Sequence, residues 1–275
     1  MKINEIFSAV YLFKNNSPAV VIGRHQNPFL EADIQYVDEN GIDFARRHSG
    51  GGTVYHGYGN LNVSLLTTQT NHCRPRNLQW IAGLLNENLG INLIATKRDD
   101  IIFADERKVS GTAARIARGR AYHHLTLLID EDLDILRRTL NSPFKNRIKT
   151  NATQSIPAKH VGQISQEIQG ITVNEVKELL INSFQKQFER CNIINVNSIS
   201  EAVFPDINKT QKELQSWEWR FAKTPQFILD DDIQVENGII KVSSNPEYQL
   251  GSQFYPISND ILNQQQMNKT EHLLS

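Results

Sequence analysis

The sequence lacks most of the features that announce a whole class of protein. It has only two cysteines, Cys73 and Cys191. These are too few for a disulfide framework and suit a reducing compartment. No apolar run approaches the roughly 18 residues that a membrane-spanning helix needs. The N-terminal "MKINEIFSAVYLF" has neither a signal peptide's apolar core nor the arginine-rich amphipathic pattern of an organelle presequence. Lys and Arg (29) nearly cancel Asp and Glu (30), for a formal net charge of -1. No general attraction to nucleic acid or to an anionic membrane is therefore expected. No internal repeat is present. What remains is a soluble chain of 275 residues, enough for one large domain or one with a small satellite.

One local absence is more telling. From Phe44 to Asn86 there is no acid, yet Arg46, Arg47, Arg74 and Arg76 fall there. From Arg107 to His124 there are five cations, Arg107, Lys108, Arg115, Arg118 and Arg120, again with no acid. A near-neutral chain that segregates charge in this way predicts a local anion site rather than a basic coat.

Within the first of those stretches lies the glycine-rich run "RRHSGGGTVYHGYGN" at 46–60, with five glycines between Gly50 and Gly59. Glycine inside regular structure is costly, so such a run needs a purpose. A Walker A loop is excluded, because Tyr58 stands where that motif requires lysine, and no G-x-G-x-x-G is present. A strand, not a helix, follows the run. Consecutive bare N–H groups can still form a concave nest for an anion, and a chain without β-carbons can approach a flat ligand closely. Of the potential metal ligands His48, His56, His72, Cys73, His123 and His124, no pair has the spacing of a zinc site. No metal is expected. His123 and His124 are adjacent on a strand and should point to opposite faces.

Hydrophobic periodicity predicts a mixed sheet with helices gathered on one side, an α+β domain. Residues 9–23 read as two β-rich runs around a polar turn, and a helix fits Leu30 to Asn40, ended by Gly41. Strands are expected at 44–47, 53–56, 61–68, 91–97, 100–104, 108–116 and 121–129. Helices are expected at 75–89, with Leu78, Ile81, Leu85 and Leu89 on one face, at Leu133–Leu140, and from Val173 to Phe188. The last of these starts with a Thr172/Glu175 capping box. A hairpin should turn at Asn237–Gly238. The final polar stretch, from Asn259, is expected to be loosely ordered.

Five segments together carry a family resemblance. "RRHSGGGTVYHGYGNLN", "KVSGTAARI" and "AYHHLTLL" closely resemble the lipoate–protein ligase A and lipoyltransferase family, relatives of the biotin–protein ligases. "VVIGRHQNPF" at 20–29 and "WEWRFAKTPQF" at 217–227 agree with it in the same order. The resemblance implies a catalytic domain over residues 1–222 and a reduced C-terminal accessory segment over 223–275. It also implies that the ligand is an acyl-adenylate, a lipoyl chain joined to AMP through a mixed anhydride. By that resemblance Lys108 is the catalytic lysine. Arg47, Gly50, Gly51, Gly52, Thr53, Val54, Tyr55, His56, Asn60, Asp100, Ala113, Arg115 and His124 bind the lipoyl-adenylate. No tightly bound cofactor is implied. The expected acceptors are the lipoyl domains of 2-oxoacid dehydrogenase E2 subunits and the glycine cleavage H protein, and a monomer is expected.

Within the family the chain reads as closer to the lipoyltransferases than to complete ligases, which use ATP and Mg to activate free lipoate. "NATQSIP" at 151–157 resembles the transferase version of that loop, as do "RHQNP", "SGGGTVYH" and "ELQSWEW". Asp99 stands where ligases typically carry an Asn facing the nucleotide, and a carboxylate there is expected to repel phosphate. The reduced C-terminal segment points the same way. The chain departs from the family pattern in having Gly57 after His56, where an Asp is usual, and in lacking the N-terminal helix. The resemblance places the protein in the mitochondrion, or in the cytoplasm if it is prokaryotic. Alternatives are a complete ATP-dependent ligase, an octanoyltransferase using Cys73 as nucleophile, and a catalytically silent protein that binds lipoyl carriers.

Overall fold

The alternation in "NLNVSLLTT" and "RAYHHLTLL" organises the structure, here a computed structural model that describes residues 7–13, 17–188, 192–196, 201–202 and 204–255. The N-terminal half supplies β1 (Phe7–Phe13), β2 (Ala19–Ile22), α1 (Pro28–Glu31), α2 (Ile34–Glu39), β3 (Asp43–Arg46), β4 (Val54–His56) and β5 (Asn60–Thr68). Next come α3 (Arg74–Leu89), β6 (Leu93–Ala95), β7 (Ile101–Phe103), β8 (Thr112–Ala117), β9 (Arg120–Leu128) and α4 (Leu133–Thr139). The rest adds β10 (Ile148–Thr150), α5 (Val173–Gln187), α6 (Ile207–Gln215), a π-helical turn (Glu218–Ala222), and β11 (Phe227–Leu229), β12 (Ile233–Glu236) and β13 (Ile239–Val242).

The main sheet runs β1-β5-β9-β8, all antiparallel. Because side chains alternate across a strand, Leu61, Val63 and Leu65 of β5 fall on one face, where they pack against Leu78, Ile81 and Leu85 of α3 and Leu180 and Phe184 of α5. Full burial of each of these Leu and Ile side chains stabilises by roughly 1.5–3 kcal/mol. The α3 helix starts with Pro75 in its first turn and ends on Gly90, whose φ of 68° is the left-handed stop favoured at a C-cap. The expected capping box on α5 is present, with Thr172 accepting from the Glu175 N–H and Glu175 accepting in return.

A second sheet, β3-β2-β4, carries the glycine loop between β3 and β4. A third, β10-β11-β12-β13, brings residues 227–242 beside Ile148–Thr150. Phe227, Leu229, Ile233, Val235 and Ile240 share one core with Val20, Ile22 and Phe29. The segment after residue 222 is thus packed into the same core as the N-terminal elements rather than around a core of its own. The β12–β13 hairpin turns at Asn237 and Gly238, both at positive φ.

Two predicted elements differ. The helix expected over Leu30–Asn40 is two short helices, because Ala32 is extended and Asp33 starts a new helix by accepting from the Tyr36 N–H. The strand expected from Lys108 begins at Thr112. Lys108 instead makes isolated bridges to Ile102 and Val161, which fix it between two loops. Cys191 and the C-terminal stretch from Asn259 lie outside the described residues.

Candidate active site

The paired arginines before the glycines divide two tasks. Arg46 is buried (1% exposed) and points away from the loop. It donates to the carbonyls of Arg24, Gln26 and Arg220 at 3.1, 2.7 and 2.8 Å and to Thr224 Oγ1 at 2.9 Å. Trp219 Nε1 donates back to the Arg46 carbonyl at 2.7 Å. Arg47 turns the other way, into the loop. It donates to Ser49 Oγ, to Val21 O, and to the carbonyls of Gly50 (2.7 Å) and Gly52 (2.6 Å). Burial lowers its pKa to about 10, so it stays charged at neutral pH.

Arg47 thus gathers the carbonyls of Gly50 and Gly52 and leaves the amides of the loop out of its internal bonding. The N–H groups of Gly50, Gly51 and Gly52 donate to no protein acceptor among the described residues. Gly51 sits at φ 90°, with the space for a β-carbon closed off by Ala113 and the Arg47 guanidinium. A residue with a side chain would be strained there and would crowd both.

Behind the loop lies a neutral polar layer. His124 Nε2 hydrogen-bonds Ser49 Oγ at 2.9 Å, His56 Nδ1 meets Asn62 Nδ2 at 2.9 Å, and Asn60 donates to Asn62 Oδ1. Burial, helped by the Arg47 charge, pushes both histidines down to about 4. His123, one residue from His124, points to the opposite face and meets Asn77 beneath α3, as the alternation requires.

In front of the loop is a cavity of about 610 Å³, lined by Thr53, Val54 and Tyr55, by Lys108, Ser110 and Gly111, and by Thr126. Leu30, Leu128, Leu136 and Leu140 form an apolar wall, and Arg137, Arg138 and Lys145 also face it. Lys108 Nζ is held by Asp100 Oδ1 at 2.6 Å. Its backbone is stapled as well, since the N–H donates to His160 O and the carbonyl accepts from Gly162 N–H. Lys108 and the Thr53–Tyr55 strand start, distant in sequence, thus share one chamber.

The remaining expected site residues fall outside the cavity wall. Arg47, Gly50, Gly51, Gly52, His56, Asn60 and His124 form the loop and the layer behind it. Asp100 reaches the chamber through Lys108, and Ala113 lies under Gly51. Arg115 instead meets His48 Nδ1 at 3.2 Å, and His48 packs on Trp219. This ties Arg115 to the 217–224 segment. Asp99 corrects one expectation. Its carboxylate pairs with Arg74 at 3.2 Å and it does not line the cavity, so the phosphate repulsion predicted from its sequence position is neutralised.

Among the residues that escaped the sequence reading are Glu31 and Ser155 on the cavity wall, and Gln26 behind Ser155. Gln26 and Ser155 stand in "RHQNP" and "NATQSIP", but nothing in those strings shows that the two segments touch.

A family model, that of the lipoyl protein ligase A/B catalytic domain, matches residues 3–185. The chain belongs to this family. It is 40% identical over 228 residues to the human mitochondrial lipoyl amidotransferase LIPT1, a match covering 82% of this chain and 61% of that protein. Lipoate-protein ligase A of Psychrobacter cryohalolentis is 30% identical over 244 residues, covering 86% and 70%. Among solved structures, P. falciparum LipL1 in complex with lipoate superposes with a TM-score of 0.64 at 26% identity, covering 84% of this chain and 69% of that one. The chain thus spans about three-fifths of the length of its human relative. In this lipoyl ligase family member, the matched span contains the glycine loop, Lys108 and the cavity between them.

Proposed function

We propose that the protein is a lipoyltransferase, moving a lipoyl group from an activated donor to a lysine of a lipoyl domain. The observation that carries the reading is the placement of the Asp100-held Lys108 ammonium on the wall of the chamber that Thr53, Val54 and Tyr55 also line. The donor is lipoyl-AMP or a lipoylated carrier. The acceptors are the lipoyl domains of 2-oxoacid dehydrogenase E2 subunits and the glycine cleavage H protein. The 40% identity to a mitochondrial lipoyl amidotransferase supports both this activity and a mitochondrial location.

The chemistry follows from charge. The mixed anhydride carries a phosphate anion, and its carbonyl oxygen gains negative charge as an amine attacks. A fixed ammonium beside both oxygens stabilises that growing charge more than the ground state, and this lowers the barrier. The acceptor lysine's neutral amine forms the C–N bond while the C–O bond to phosphate breaks. AMP leaves with the electron pair, and the nitrogen gives up a proton to solvent. Val54, Leu128 and Leu136 supply apolar surface for the lipoyl chain. Thr53 and Lys108 face the anionic end from the cavity wall, and Arg47 holds the glycine loop in shape behind them.

The test is to incubate the protein with lipoyl-AMP and an apo lipoyl domain and to read the acceptor by mass spectrometry. A single added lipoyl mass on one lysine is expected, falling at least 100-fold in Lys108→Ala. Full activity in that variant would refute the reading. A second reading, a complete ligase, is favoured by the Arg74–Asp99 pair, which removes the charge objection to ATP. It predicts pyrophosphate release from ATP and free lipoate in the same assay.

A further inference from the structure

Two hydrogen-bond donors from distant parts of the chain converge on one oxygen at the cavity wall. The Thr53 N–H, at the end of the glycine loop, donates to Ser155 Oγ at 2.7 Å. The Gln26 side-chain amide donates to the same oxygen at 3.0 Å. Gln26 is fully buried and oriented by its own oxygen, which accepts from the Gly23 N–H at 2.8 Å and the Thr53 hydroxyl at 2.9 Å. The amide nitrogen therefore faces Ser155 by constraint, not by chance of rotamer. Gly52 leaves room for the hydroxyl, since a β-carbon there would lie 3.0 Å from Ser155 Oγ. Ser155 itself sits on the 151–157 loop, and its N–H is held by the buried Glu31 carboxylate at 3.0 Å.

A pair of preorganised donors aimed at one point, on the wall of a chamber that a fixed ammonium also lines, is an arrangement that binds an oxygen of a phosphate. Here the point is filled by a neutral hydroxyl on a separate loop that also lines the cavity. We propose that Gln26 Nε2 and the Thr53 N–H form a phosphate-oxygen subsite of the acyl-adenylate, and that the Ser155 hydroxyl is a place-holder the ligand displaces. The inference rests on the reading of the cavity as an acyl-adenylate site. It adds Gln26 as a binding residue and makes the 151–157 loop, latched by Glu31, the element that yields when the ligand arrives. A charged phosphate oxygen outcompetes a hydroxyl at such a pair because charge-assisted hydrogen bonds are about twice as strong as neutral ones.

The consequence is unusual in sign. Removing a side chain from the wall should tighten binding, because the ligand no longer competes with an internal acceptor. Calorimetry of the full chain with AMP, lipoyl-AMP and lipoic acid separates the cases. Ser155→Ala is expected to bind AMP and lipoyl-AMP roughly 2- to 10-fold more tightly than wild type, the range of one displaced neutral hydrogen bond. Lipoic acid binding should not change. Gln26→Glu keeps the orienting oxygen but turns the donor into a second oxygen, and should weaken both nucleotides at least about 10-fold. Unchanged or weaker AMP binding in a folded Ser155→Ala overturns the proposal. So does a gain seen with lipoic acid instead. If lipoyl-AMP binds wild type without this contrast, the lipoyl-transfer reading stands and only the subsite falls. If the contrast appears with AMP but no acceptor is lipoylated, the subsite stands and the transfer reading falls.

Discussion

Replacing Arg46 with Met should cost the protein a large share of its stability, although Arg46 touches no part of the cavity. The side chain is 1% exposed and faces no carboxylate. Its charge is solvated instead by four carbonyls, those of Gly23, Arg24, Gln26 and Arg220, and by one hydroxyl; burial brings its pKa down only to about 10, so it is charged at pH 7. Methionine matches its length and fills the space, but leaves Arg24 O, Gln26 O, Arg220 O and Thr224 Oγ1 without their donor. A buried acceptor stranded in this way costs about 1–3 kcal/mol. Relief from burying a charge offsets part of that sum. A net loss of about 4 kcal/mol is expected, against total stabilities of about 5–15 kcal/mol for folded domains.

The assay is urea unfolding followed by tryptophan fluorescence, since Trp219 donates to the Arg46 carbonyl and reports on the same junction. Thr224→Val removes one of the five partners and should cost about 1 kcal/mol. The junction should also become more open to protease than the rest of the chain, because Arg46 is what ties Arg220 and Thr224 to the strand that precedes the glycine loop. A loss below about 1 kcal/mol for Arg46→Met would show that the carbonyl cage is not a stabilising feature, and would refute the argument.

Asp100→Asn should slow transfer about 10- to 100-fold with little change in melting temperature, because it loosens the Lys108 amine by the order of an ångström, while an ion pair still in contact with solvent (side chains 27% and 24% exposed) contributes about 1 kcal/mol. Equal loss of rate and stability would count against it. His123 is held neutral by burial, with its pKa pushed down to about 3. Below pH 6.5 the unfolded chain takes up a proton there that the folded chain refuses, so stability should fall as pH drops, by about 1.4 kcal/mol per pH unit for this group. Burial of His56 and His124 adds to the same trend. Urea midpoints at pH 7.5 and 5.5 should separate, and His123→Gln should shrink the gap. Gly57→Asp should destabilise by at least about 2 kcal/mol, since a β-carbon there would lie 2.3 Å from Glu131 Oε1. Adding Glu131→Ala should recover more than half of that loss, and strict additivity in the double-mutant cycle would sink the idea.

That last pair bears on how much the sequence could reveal. The absence of the usual Asp after His56 reads in sequence as a lost carboxylate. In space Glu131 fills the position, its carboxylate drawn toward the N–H groups of Asp132, Gly59 and Gly57 while burial raises its pKa. Local periodicity could not show this, because residues 57 and 131 meet only where the starts of β5 and α4 close on each other. The same limit separates the legible from the hidden elsewhere. The Thr172–Glu175 box, Gly90 after α3 and the Asn237–Gly238 turn are local solutions to local problems, and each was readable from a few neighbouring residues. The division of labour between Arg46 and Arg47 was not, because both carry the same charge in the same motif. Alternation along β3 sends one into a cage of carbonyls with the 218–224 segment and the other under the glycine loop. Likewise Gln26, Glu31 and Ser155 converge across 129 residues of chain, so their motifs marked the right segments without showing that they close one site. What fixes this site is therefore less any single motif than the sheet register that places Ser64 opposite His124 and Leu65 opposite His123. A slip of one residue would bury His124 under α3 and leave His123 facing the loop, emptying the glycine turn of its support while every motif stayed intact.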